Sequence, residues 1–112
     1  MRTITQKTTN SFRKHGNCKI NNSQVLTDKG DWITRTRYFL HGNMIGDYWT
    51  FDNRKSNLYI TDAWRQTTTT KDRLNWILEQ FWLWRIFQKD WQWYIETSDY
   101  YGKFEGTFWF NL

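Results

Sequence analysis

A chain of 112 residues with net charge +5, nine Trp, no Pro and 21% aromatic content has the length of one domain, and an aromatic core is expected. Cys18 is the single cysteine, which excludes an internal disulfide; His15, Cys18 and His41 are too sparse for a zinc site of about four ligands, and no apolar run reaches the roughly 20 residues of a membrane helix. The charge is segregated: Arg2, Lys7, Arg13, Lys14 and Lys19 precede the first acid, Asp28, and from Asp28 onward basic and acidic residues balance at 11 each.

Residues 1–27 read as a basic, flexible N-terminal arm. Between Met1 and Asn22 only Ile4, Phe12, Cys18 and Ile20 are apolar, too few to order the segment. The polar, basic start carries no signal peptide pattern. Residues 28–112 read as a single α+β domain. After the turn signal Asp28-Lys29-Gly30-Asp31, Trp32 to His41 alternates as a strand, with Arg35, Arg37 and Phe39 on one face. Gly42-Asn43 marks a tight turn or a bulge. Met44 to Phe51 and Leu58 to Trp64 are strand-like around a polar loop, Asp52 to Asn57.

The one convincing helix is predicted at about Lys71 to Phe81. Leu74, Ile77, Leu78 and Phe81 fall at i, i+3, i+4 and i+7. Thr69 with Asp72 approximates a capping box. Arg65, Lys71 and Arg73 surround the helix start, where free N–H groups, threonine hydroxyls and cations converge as they would on a phosphate or carboxylate. Thereafter Trp82 to Gln88 and Trp91 to Glu96 pair as a hairpin around Lys89-Asp90, and Thr107 to Leu112 forms a last strand. The expected fold is therefore α+β, an antiparallel sheet of five to six strands with one helix packed across it.

Four segments carry a resemblance: Leu40-His41-Gly42-Asn43-Met44-Ile45, Trp64 to Asn75, Phe87 to Tyr94, and Phe104-Glu105-Gly106. As a set they resemble a group of small bacteriophage proteins. Where that group often has threonine two residues after the tryptophan, this chain has Gln66, and Thr67 follows. The resemblance implies a phage origin and a host-cytoplasm setting, not a mechanism.

No nucleophile, base and orienting acid stand in a recognisable arrangement, no glycine-rich phosphate loop exists, and no cofactor or metal is implied. A non-enzymatic binding protein is expected. Its leading partner is nucleic acid or a phosphate group, contacted by Arg13, Lys14 and Lys19 of the arm, by Arg35 and Arg37, and by Arg65, Thr69, Thr70, Lys71 and Arg73 at the helix start, with bases stacking on exposed rings. The alternatives are a host-protein-binding inhibitor serving host takeover or anti-defence, anchored on exposed Trp, Tyr and Arg, and a small structural or assembly protein. No membrane contact is expected.

Overall fold

The computed structural model describes residues 2–52 and 54–112, with side chains from residue 6 onward. Six antiparallel strands lie side by side in the order β1 (Cys18–Ile20), β2 (Ser23–Lys29), β3 (Ile33–Leu40), β4 (Asn43–Phe51), β5 (Ser56–Thr61) and β9 (Thr107–Asn111). Two helices, α1 (Arg2–Arg13) and α2 (Thr68–Gln80), accompany them. A separate three-stranded sheet contains β6 (Arg85–Lys89), β7 (Gln92–Glu96) and β8 (Tyr101–Lys103). The α+β class and the six-stranded sheet are as expected, with two helices instead of one and a second sheet. The predicted helix face is buried throughout: Leu74, Ile77, Leu78 and Phe81 all belong to the core. Ile86, Trp93, Ile95 and Phe104 carry the same core into the second sheet.

The segment read as a flexible arm is built into that core. Phe12 of α1 is fully buried, with its ring edge-on to Tyr38 and Phe81 at centroid distances of 5.9 and 6.0 Å. The Thr8 hydroxyl meets the Tyr38 hydroxyl at 2.7 Å. Thr and Asn are weak helix formers, so tertiary packing and not propensity holds α1. Gly46 permits the close approach, since a Cβ there would stand 3.1 Å from Phe12 Cζ and 3.3 Å from Ile77 Cδ1. Downstream, β2 pairs with β3 from Ser23↔Leu40 to Lys29↔Thr34. The boundary expected between residues 27 and 28 thus falls inside a strand.

A polar chain ties the end of α1 to the sheet. His15 Nδ1 lies 2.6 Å from Thr36 Oγ1 and Nε2 lies 2.8 Å from Thr50 Oγ1, while the ring stacks on Tyr48 at 4.4 Å and 5°. Thr27 Oγ1 donates to the Gly16 carbonyl and therefore accepts from Thr36. Thr36 has spent its proton, so it accepts from His15 Nδ1–H; when the ring is neutral, Nε2 is left to accept from Thr50.

Burial first, and then the cations Arg13 and Lys29, lower the His15 pKa below its ordinary 6.5. The folded state then binds this proton more weakly than the unfolded chain does. The contribution to stability is fully present above about pH 6.5 and is lost as the pH falls through the depressed folded value. We expect the melting temperature to drop on acidification from pH 7 to pH 5, and His15→Gln to flatten that slope. An identical slope in the variant would remove His15 from the explanation.

Candidate functional site

The connection from β5 to α2 is organised by Asp62, a buried carboxylate. Its Oδ1 accepts from the Trp64 amide at 2.8 Å and its Oδ2 from Gln66 Nε2 at 3.1 Å. Its carbonyl accepts from the Arg65 amide, and its own N–H donates to the Gly106 carbonyl, both at 2.9 Å. Gly106 has φ +102° and a Cβ there would stand 3.4 Å from Asp62 Oδ1, so glycine suits both the backbone and the space. This anchoring sets the helix start. Thr67, not Thr69, is the N-cap, and its side chain accepts from the Thr70 amide at 3.1 Å. The helix consequently begins at Thr68, three residues before the predicted start. Any of four consecutive threonines can cap a helix; the long-range tie to Asp62 and Gly106, invisible in the local pattern, selects the register.

Two clefts flank this loop, and Asp62 lines both. The first, about 230 Å³, lies between the β3–β4 turn and the start of α2, with His41, Asn43, Arg65, Thr67, Thr69 and Thr70 on its walls. The β3–β4 turn is a tight two-residue turn, His41 and Gly42 both having positive φ, 52° and 78°, as type I′ requires. The amides of Thr68 and Thr69 have no protein acceptor among the described residues, as befits a first helical turn. Arg65, His41, Asn43, Thr67, Thr69 and Thr70 therefore line one small space together with Asp62, beside the start of the helix. The second cleft, about 550 Å³, runs from Trp64 and Tyr59 across to Gln92, Lys103 and Glu105. All four segments singled out in the sequence, through His41 and Asn43, Trp64 and Arg65, Gln92, and Glu105, thus line the two clefts that share Asp62.

Residues 1–111 match the family described as Kyanoviridae Gp96 protein, a family of phage proteins. The chain belongs to that family. No curated protein and no solved structure matches it.

Within this Gp96-family chain the predicted anion-binding residues separate into two groups. Arg65, Thr69 and Thr70 line the first cleft. The others line neither cleft, and several are engaged elsewhere. Arg35 makes a bidentate pair with Asp47, Nε at 2.9 Å and Nη2 at 2.7 Å, and lies 5.2 Å over the Trp49 ring. Arg37 pairs with Asp28 at 2.7 Å. Arg13 donates to the Tyr48 hydroxyl at 3.1 Å and covers the Phe81 ring. Arg73 is buried, with Nη1 3.3 Å from Asp72 and Nε 3.5 Å from Ser23 Oγ. Lys14 and Lys19 are exposed, and Lys71 is half-buried. His41, Asn43, Asp62 and Trp64 were not among the predicted site residues. The spacing Asp62-x-Trp64 in a turn was the available signal, because an Asp side chain accepts from the backbone N–H two residues on.

Three tryptophans of this family member occupy backbone positions suited to glycine. Trp64 (φ 65°) is 99% exposed, Trp82 (φ 61°) 90% and Trp91 (φ 65°) 92%. Trp82 closes α2 in a Schellman arrangement, its N–H donating to the Glu79 carbonyl while Leu83 N–H donates to that of Leu78. Trp91 shares the β6–β7 turn with Asp90, also at positive φ. A large side chain in this region costs about 1 kcal/mol or more, and here it recovers no burial. Among the described residues no three of His, Cys, Asp and Glu converge as a metal would need, and no helix is long and apolar enough to cross a membrane.

Proposed function

We propose that the protein is a non-enzymatic binder of nucleic-acid phosphate, acting inside the host cell, and that its phosphate cradle is the cleft between the β3–β4 turn and the start of α2. The observation that carries this reading is that Arg65, Thr69, His41 and Asn43 line one cleft beside the N-terminus of α2, the kind of end that favours anions. The net charge of +5 supports it by attracting polyanions over distance. Because Arg13, Arg35, Arg37 and Arg73 have internal partners, only about two or three phosphates are neutralised. The logarithm of single-strand affinity should then fall against the logarithm of salt with a slope of about −1.4 to −2.1. Arg65→Ala should make that slope shallower by about one contact's worth, with the melting temperature unchanged. Absence of oligonucleotide binding at low salt, where the electrostatic term is largest, would overturn the reading.

A second reading, capture of a host protein, is favoured by Trp82 and Trp84, exposed beyond the C-terminal end of α2 and away from both clefts. Large exposed rings of this kind anchor protein interfaces. Nuclease-insensitive capture of one dominant partner, lost on Trp82→Gly, would favour it over the first.

A further inference from the structure

We infer that the larger cleft is a nucleobase site, so that the ligand of the neighbouring phosphate cradle is single-stranded nucleic acid and not a duplex or a free anion. This rests on the phosphate reading above and names the ligand it serves. The cleft volume of about 550 Å³ lies within the range of small-molecule sites, roughly 300–1,000 Å³. Asp62 lines both this cleft and the cradle, so the two are immediate neighbours. Trp64 lines the larger cleft, and its backbone N–H donates to the Asp62 carboxylate.

The cleft walls offer what a base edge needs. Gln66 donates one amide hydrogen to Asp62, and Gln92 donates one to the Trp93 carbonyl at 3.0 Å. Each amide is thereby oriented, with its carbonyl and second N–H still available. Glu105, exposed on the rim, accepts from an exocyclic amino group, while Lys103 supplies a cation for the next phosphate. Trp64 lines the cleft and, almost fully exposed, supplies a stacking face. Bases in a duplex hide their faces in the stack; a single strand can splay one out onto a ring.

The test compares three probes at low salt by fluorescence anisotropy: a mixed-sequence single-stranded oligonucleotide, an abasic sugar–phosphate strand of equal length, and the duplex. The single strand should bind about tenfold or more tighter than either of the others, as one stacked base implies. Trp64→Gly suits the local φ and should abolish that preference without unfolding the protein; Gln92→Ala should reduce it. Equal affinity for the abasic strand and the single strand would overturn the base site while leaving the phosphate cradle standing. A duplex bound as tightly as the single strand would likewise overturn it. If no probe binds, both readings fall together.

Discussion

Phe12→Ala is expected to lower the unfolding free energy by about 3–5 kcal/mol, the usual result of truncating a fully enclosed phenylalanine. The ring has no solvent-exposed surface and touches Tyr38, Tyr48 and Phe81. Collapse cannot refill the space easily, because Gly46 behind the ring has no side chain to move and Ile77 is already fully buried. Domains of this size are stable by about 5–15 kcal/mol, so the variant should sit near the threshold of folding. Urea denaturation gives the number directly. Trypsin adds a second readout: the native protein should resist cleavage at Arg13, and the variant should be cut there as α1 leaves the sheet. A loss below about 1 kcal/mol would mean that α1 is dispensable and that residues 2–13 behave as the arm their composition suggested.

The second large effect is at Asp47. Its carboxylate is 3% exposed, although it sits on the sheet face opposite Phe12. It is covered by its own partners, Arg35 through two nitrogens and the Trp49 indole N–H. The hydrogen bonds to Asp47 raise the Arg35 pKa above its already high ordinary value. Asp47→Ala leaves a cation and an indole donor without their acceptor, and we expect a loss of about 2–3 kcal/mol. The figure stays below that for a wholly buried pair because the Arg35 side chain is 40% exposed and can turn to water. Asp47→Asn keeps one acceptor and should cost less than Ala. If both substitutions cost only a few tenths of a kcal/mol, the pair is an ordinary surface ion pair.

Much of the fold was legible because it rests on local periodicity. The α2 face, the alternation of β3 and the β6–β7 hairpin each follow from spacings within about ten residues. What was hidden depends on partners far along the chain. The α1 sequence has a single buried aromatic, Phe12, in a run of threonines, and its helix exists because Tyr38, Tyr48 and Phe81 are waiting for that ring. The strand pattern correctly put Arg35 and Arg37 on one face. Their neutralisation by Asp47 and Asp28 required the β3–β4 and β2–β3 registers, Arg37↔Asp47 and Asp28↔Arg35, in which each arginine reaches the acid diagonal to it. The basic residues at the start of α2 looked equivalent in sequence. Helix phase sends Arg73 into the protein toward β2, whereas Arg65, which precedes the helix, is placed at the cleft by the loop anchored on Asp62.

The pairing of β9 with β5, from Thr61↔Thr107 to Asn57↔Asn111, has a kinetic consequence. The hairpins linking β2 to β5 close through short loops, but α2 and the entire second sheet intervene before β9 arrives. Loop-closure entropy for this last pairing is spent before its contacts form. The chain should accordingly fold in milliseconds to seconds, like other domains rich in non-local strand pairs. Throughout that interval β5 presents an unpaired edge carrying Leu58, Tyr59 and Ile60, open to the strands of other chains. How quickly Thr107–Asn111 docks therefore decides how long the newly made protein is exposed to aggregation.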